Sequence, residues 1–380
     1  MAELDIKSGR IQSLDVLRGI VMALMVLDHT RAFFFGSTPK PTDLAVTNGF
    51  LFFTRWITHF CAPVFVFLSG ASAFMYGAKR SRSDSFRFLF SRGVWLVFLE
   101  LTVIRFGWFQ EWSSVFVLQV IWAIGCSMIL LGLCLPLGSR GILLVGALIT
   151  VFHNGLSPLV LDYTAGPTLT MGQLLLTKGT FGLAGFKVIG AYAVVPWFGV
   201  MALGYGFGSC FLRMSPSGRY RVCIGLGVSA MAIFLVLRGF NFYGDPTAWQ
   251  THDSFAFTVM SFLNVTKYPP SLLYTLATLG PALVILPFLE DLRWTWAKNV
   301  FLIYGRVPMM FYIAHIYLVS FGAAVVALLI GLSDTGMKGV GASLGTTWLV
   351  WLVALAILLP LCRRYGEYKR SRGYWWLSYL

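Results

Sequence analysis

Ionisable side chains sit inside two consecutive apolar runs near the start of the chain. The first, RIQSLDVLRGIVMALMVLDH, carries Arg10, Asp15 and Arg18 toward one end and Asp28 and His29 deep inside it. The second, RWITHFCAPVFVFLSG, carries Arg55 and His59. A charge in hydrocarbon is costly unless it is paired or faces a watery cavity, so these groups are candidates for function by default. The chemistry they offer is general acid–base work, because a histidine, with an ordinary pKa of about 6.5, needs only a modest influence from its surroundings to act near neutral pH. Asp28 adjoins His29 in sequence but points about 100° away from it on a helix. That geometry suits Asp28 to Arg31, Arg55 or His59 more than to His29. No metal is expected, since His29 and His59 lack the spacing that puts two ligands on one helix face and no cysteine or carboxylate cluster completes a shell.

Composition dictates the elements that carry these groups. The 380 residues are 57% hydrophobic and 12% charged, whereas about a quarter of a soluble domain is charged. The apolar runs are of helix-spanning length, about 18–25 residues, and not the short alternating strands of a barrel. They fall near 13–36, 50–76, 88–107, 115–135, 141–157, 187–212, 222–240, 268–289, 300–330 and 343–362. The expected fold is therefore all-α: a polytopic integral membrane protein of about ten transmembrane helices. The count becomes eleven if the long ninth run, which contains Gly305 and Pro308, divides into a short re-entrant piece and a span. Residues 1–380 read as one transmembrane domain, with polar segments at 1–12 and 363–380. The N-terminal MAELDIKSGR lacks a signal-peptide pattern, so the first span is expected to serve as the targeting element.

The net charge of +14 gathers in short clusters. Lys79, Arg80, Arg82 and Arg87, then Arg213, Arg219 and Arg221, then Arg293 and Lys298, and finally Arg363, Arg364, Lys369, Arg370 and Arg372 occupy alternate connections. This is the positive-inside pattern, not a nucleic-acid footprint, and it places both termini in the cytoplasm. Loops carrying Glu111, Asp162, Asp245 and Asp253 then face outward. The two longest of these, 158–186 and 241–267, either cap the outer mouth of a cavity or act as solvated tethers. The closing GYWWLSYL reads as an interfacial aromatic anchor. The six cysteines are scattered without a CxxC pair and read as packing residues. No internal repeat suggests the inverted halves of many transporters.

At about 1.5 Å per residue, His29 lies about 25 Å from the inner end of its helix and His59 about 14 Å below the outer end of the next. The two depths agree to within a turn or two. Glu100, Arg105 and His315 fall in the middle or outer half of their spans as well, and with Arg31 and Arg55 they are candidates to line a cavity or meet an acceptor. Glu100 and Arg105 read first as a neutralising pair, and His315 reads equally as an interhelical hydrogen-bonding group. At the inner end, Arg10 and Arg18 flank Asp15. A basic mouth suits a phosphorylated cytoplasmic ligand, because arginine grips phosphate through forked hydrogen bonds. Topogenic charge accounts for most of this cluster, but Arg18 lies inside the span, where pairing with Asp15 or a phosphate is the cheaper arrangement.

These residues resemble a known group. Arg18 and His29, with ten residues between them, look like the Arg/Lys-x10-His signature of acyltransferase-3 membrane enzymes. RIQSLDVLRGI, RWITHFCAPVFVFLSG, AVVPWFGVMALGYGFG, TKYPPSLLYTLATLGPAL, GRVPMMFYIAHIYLV and WWLSYL are similar to the DUF1624 family of bacterial membrane proteins, related to heparan-α-glucosaminide N-acetyltransferase. The pieces cover nearly every span. The resemblance implies transfer of an acetyl group from cytoplasmic acetyl-CoA to an acceptor outside the bacterial cytoplasmic (inner) membrane, the acceptor being a saccharide or glycolipid. It also implies departures: the heparan-type enzyme carries Asn at the position of His29 and Asp at that of His59, and its catalytic histidine falls near Asn48 or Gly49.

The leading expectation is an acyl-CoA-dependent transferase with His29 as general base and His59 positioning the acceptor or polarising the thioester carbonyl. A covalent acyl-histidine is the variant mechanism. Asp28 joins the catalytic set, and Arg10, Asp15 and Arg18 are expected to hold the donor. The alternative is a proton-coupled transporter or lipid flippase that uses the same buried groups as a relay. Partners are the bilayer, acyl-CoA and the acceptor, with a homo-oligomer left open.

Overall fold

The computed structural model describes residues 11–36, 38–112, 114–162, 171–183, 185–290, 292, 295–332, 339–374 and 377. Fifteen α-helices dominate these residues. The first is α1 (Gln12–Thr30), prolonged by a π-helical turn over Arg31–Phe35. A bent rod follows, made of α2 (Gly49–Trp56), a 3-10 turn over Ile57–Phe60 and α3 (Cys61–Gly77). Next comes α4 (Arg82–Leu99), which passes through a second π turn at Glu100–Ile104 into α5 (Arg105–Phe109). Then come α6 (Val120–Cys134), α7 (Gly138–Asp162), α8 (Met171–Leu176), α9 (Val194–Arg213) and α10 (Pro216–Phe240). The remainder is α11 (Phe255–Leu263), α12 (Leu272–Phe288), α13 (Thr295–Arg306), α14 (Pro308–Leu329) and α15 (Leu344–Ser371).

Six helical runs are long and apolar enough to cross a bilayer: Gly49–Gly77, Val120–Leu156, Val194–Arg213, Pro216–Phe240, Pro308–Leu329 and Leu344–Ser371. Helix α12 is apolar but shorter. Helices α1 and α4 have the length, but Asp15, Arg18 and Asp28 interrupt the first and several charges the second.

The sheet and two of the runs differ from expectation, and the ninth run takes one of the two forms left open. The all-α reading omits a small sheet of β1 (Val115–Leu118), β2 (Gly179–Leu183) and β3 (Phe186–Gly190), in the order β1-β3-β2. In it β1 runs parallel to β3 and β2 antiparallel to it. The apolar run at 115–135 is thus a β-branched strand, VFVL, followed by a helix, because Gln119 is extended at φ −103°, ψ −154°. The run at 187–212 likewise begins as β3 and continues as α9. The ninth run divides into α13 and α14: Pro308 has no amide hydrogen to donate, and Val307 leaves the helical region at φ −131°, ψ 54°.

Helix α1 lies at the centre, in contact with α3, α13, α14 and α15. Its approach to α13 is set by two glycines. A Cβ at Gly19 would collide with the Phe301 carbonyl, and one at Gly305 with the Asp15 carbonyl. Small residues at such crossings let backbones meet, the usual solution where no hydrophobic force separates helix from lipid. Gly70 and Gly204 do the same between α3 and α9. One large apolar cluster joins these helices, and a small one of Leu118, Leu174 and Val188 lies under the sheet.

Candidate active site

A cavity of about 410 Å³ opens beside the C-terminal half of α1. Its walls come from α1 and its π turn, from α2 to α6 with Val117 of β1, from the loops that precede α9 and α12, and from Pro308, Met309 and Tyr312 of α14. Ser69 on α3, one helical turn from Ser72, also lines it. The π turn that carries Arg31 widens the end of α1, as such turns often do at functional sites.

His29 lines this cavity and pairs with His315 of α14, Nδ1 to Nε2 at 2.7 Å, the two rings stacked with centroids 4.9 Å apart. The hydrogen-bond order fixes the tautomers. His315 Nδ1 lies 3.0 Å from the Phe311 carbonyl, which only accepts, so Nδ1 carries the proton and Nε2 of the neutral ring is an acceptor. His29 Nδ1 therefore donates to it, and His29 Nε2 is left as the basic nitrogen of the cavity wall. Trp108 stands edge-on to the His29 ring at 4.8 Å. This chain of carbonyl, imidazole and imidazole fixes the orientation of the His29 ring.

Asp28 lies alongside, held between two arginines: Oδ1 is 3.4 Å from Arg31 and Oδ2 3.3 Å from Arg55. Arg31 also donates to the Gly36 carbonyl and Arg55 to the Thr58 hydroxyl. Lys267 completes the group. It is 8% exposed, lines the cavity, and sits over the Tyr268 and Tyr192 rings at 5.1 and 5.8 Å. The two tyrosine hydroxyls are 3.4 Å apart.

The loop that presents Lys267 and Tyr268 is anchored from behind. Asp245 accepts from the Thr266 amide at 2.8 Å, the Thr266 hydroxyl at 2.9 Å and the Ser271 hydroxyl at 2.7 Å. Arg238, 1% exposed, donates to the carbonyls of Thr247, Ser261, Phe262 and Asn264. Asn264 in turn donates to the Thr42 carbonyl. The connection 241–267 is held by its own hydrogen bonds and gives Lys267 to the cavity lining.

The residues singled out from sequence do not all meet here. Asp28, His29, Arg31 and Arg55 line the cavity, and His315 reaches it through His29. His59 is buried against the Tyr274 ring at 5.5 Å, outside the cavity wall, with its Nδ1 unpartnered. Glu100 and Arg105 take separate partners. Glu100 accepts from the Trp122 amide at 3.0 Å, meeting the unsatisfied first turn of α6, and Arg105 donates to the Val115 carbonyl and covers the Phe116 ring at 4.0 Å. Arg18 clasps three elements. It bonds Asp15 at 2.7 Å, Ser72 at 3.1 Å and the Gly305 carbonyl at 3.1 Å. Arg10, Arg293 and most of the closing WWLSYL lie outside the described residues. Among the described residues no group of three or more His, Cys, Asp or Glu is placed to hold a metal.

Lys267, Tyr192 and Tyr268 were not expected. Lys267 precedes an apolar run and reads there as a loop charge. Its only signal is the KYPP stretch beside a helix start.

A multi-pass membrane protein with a largely apolar cavity into which His29 and several charged side chains are set is the class that fold and site define. Residues 10–238 match the family described as heparan-alpha-glucosaminide N-acetyltransferase, catalytic, and the chain belongs to that family of membrane acetyltransferases. The match ends before Lys267 and His315. No curated protein matches the chain.

Proposed function

We propose that the protein moves an acetyl or related acyl group from acyl-CoA, arriving from the cytoplasm, to a hydroxyl or amine of a saccharide or glycolipid acceptor on the opposite side. The observation that carries this reading is the 2.7 Å bond from His29 to His315, which leaves a free basic nitrogen on a cavity wall. His29 Nε2 takes the acceptor proton as the acceptor oxygen or nitrogen attacks the thioester carbonyl. The C–S bond breaks, and the proton passes from His29 to the departing CoA thiolate. His315 accepts from His29 Nδ1 throughout and stabilises the transient imidazolium, while Asp28 supplies negative charge nearby and holds Arg31 and Arg55 in place.

The donor side is supported by a second groove, about 950 Å³, lined by Arg80, Arg87, Lys369 and Arg372 with Tyr76, Phe88 and Tyr374. Cations beside aromatic rings suit the phosphates and base of a nucleotide. The bond from Arg18 to Ser72 puts this groove at the α1 end opposite His29, and Arg18 lies about 16 Å along the helix from His29. About ten spans, eleven when α13 is counted apart as a short re-entrant piece, with both termini cytoplasmic and a bacterial inner-membrane location, complete the reading.

Reconstituted protein supplied with acetyl-CoA and a panel of amino sugars and glycans tests it. Acylated product from the wild type, abolished in His29→Ala, is the expected result. Proton-coupled uptake without thioester consumption would favour the transporter instead.

A further inference from the structure

A groove on the outside of the helices, between α2 and α15, encloses about 870 Å³. Helix α15 is one of the runs long and apolar enough to span, and its outer face is exposed at Leu349, Leu352 and Val353, so hydrocarbon is the medium around the groove. The polar groups along it are turned to the protein. Trp348 Nε1 donates to the Thr54 hydroxyl at 3.2 Å, Thr54 donates to the Phe50 carbonyl at 2.7 Å, and Trp351 Nε1 donates to the Ala23 carbonyl at 2.8 Å. A tryptophan of the interfacial belt keeps its N–H for headgroups and water. These two direct it to neighbouring helices and leave the groove hydrocarbon and ring surface, which suits an occupant that makes no hydrogen bonds. The α2 side runs from Asn48 to Ile57, about 14 Å of helix, which matches the length of one alkyl chain. Gly49 lines it where a Cβ would meet nothing within 4 Å.

We infer that this groove seats one hydrocarbon chain of a membrane-anchored acceptor, so that the sugar to be acylated is carried on a lipid. This rests on the transferase reading and narrows its acceptor. The chain is assigned to the acceptor because the groove and the histidine cavity share α1 and α2 as a common wall. Leu27 and Thr54 line the groove, whereas their sequence neighbours Asp28, His29 and Arg55 line the cavity. A chain lying along α2 ends at Asn48, in the connection that follows the Arg31 turn, and so brings its headgroup to the end of α1 that holds His29. Between lipid and protein there is no hydrophobic gain, so the seat acts through close packing of the chain against the groove walls.

Full-length protein in lipid nanodiscs is given dodecyl glucosaminide with a diazirine in its chain, illuminated, and digested for mass spectrometry of the labelled peptides. The exposed apolar face of α10 at Ile233, Leu235 and Val236 is the internal reference for chance contact with lipid. Labelling of 48–57 and 348–352 above that reference by about fivefold, the effect of roughly ten carbon–carbon contacts, is expected. It falls to the reference level in Gly49→Leu and in Leu352→Trp, which fill the groove from opposite walls. A phosphatidylglycerol with the same diazirine chain should label both faces alike. With acetyl-CoA supplied, the ratio of kcat/KM for dodecyl over methyl glucosaminide should fall by about fivefold in both variants. Partition of the dodecyl chain into the nanodisc is common to wild type and variants and cancels in that comparison. Equal labelling of the groove and of α10 by the glycoside overturns the inference, as does a kcat/KM ratio that both variants leave unchanged. Groove labelling by the phospholipid as strong as by the glycoside overturns it by assigning the seat to a structural lipid, and a dimer that Leu352→Trp dissociates overturns it by assigning the groove to a second copy. Groove labelling by the glycoside without acyl transfer to either sugar removes the transferase reading and leaves a seat for a lipid-linked sugar standing.

Discussion

His29 and His315 come from helices separated by most of the chain, yet their ring nitrogens are 2.7 Å apart and their planes within 13° of parallel. The partner of His315 on its other side is the Phe311 carbonyl one turn back along α14. A backbone acceptor cannot swing away, so the proton positions of both rings are fixed by the helix itself. One histidine of the pair lines the cavity, and its orientation is set by the fold.

Replacing the base should remove most of the chemistry. His29→Ala is expected to lower kcat by about 10²–10⁴. His315→Phe keeps the stacking volume but deprives His29 Nδ1 of its acceptor, and a smaller fall in kcat with little change in the KM for acetyl-CoA is expected. Steady-state thioester consumption by reconstituted variants reads both. Equal kcat for wild type and His315→Phe would show that the pair does not act together.

The pH profile has a defined sign. His29 accepts a proton only when its Nε2 is bare, so protonation blocks the step. The rate at low substrate should therefore rise with pH and level off once His29 is neutral, with a single acidic limb. A profile that falls with rising pH over the same range would rule His29 out as the base.

Gly19 and Gly305 leave no room for side chains at the α1–α13 crossing. Gly19→Val or Gly305→Val must push the helices apart, and with them the clasp of Arg18 on the Gly305 carbonyl. A loss of about 1–3 kcal/mol or more is expected, measured as a fall in the detergent thermal midpoint. Gly49→Ala, where a Cβ meets nothing within 4 Å, is the control and should melt like the wild type.

Arg238 satisfies four carbonyls, two of them in the last turn of α11, from a nearly inaccessible position. Arg238→Ala leaves those carbonyls without a donor, at about 1–3 kcal/mol for each that water does not reach. Faster amide exchange across 261–268 is the expected readout. Lysine should not restore protection, since an ammonium lacks the planar fork that reaches several carbonyls at once.

Much of the site was legible from charge placed where charge is costly. Asp28, His29, Arg31 and Arg55 stand out in apolar runs, and they do line one cavity. Equal depth was a weaker guide. It put His59 level with His29, but His59 turns toward Tyr274, and depth says nothing about the rotation of a helix about its axis. His315 showed the reverse: the interhelical hydrogen bond expected of it is the contact that joins it to His29. The strand β1 was hidden because VFVL continues without a break in hydrophobicity into α6, and only the extended backbone at Gln119 separates them. Lys267 was hidden because its environment is assembled from segments distant in sequence: Tyr192 before α9, Arg55 on α2 and Asp28 on α1.

The loop that carries Lys267 hangs from Arg238 and Asp245, and neither of these touches the histidine pair. The histidine pair and the Lys267 loop thus have separate supports. One is built into two crossing helices, the other into a surface cassette between α10 and α12 with its own internal fastenings. Exchange of that cassette would alter the Lys267 side of the cavity while the His29–His315 pair stays as it is.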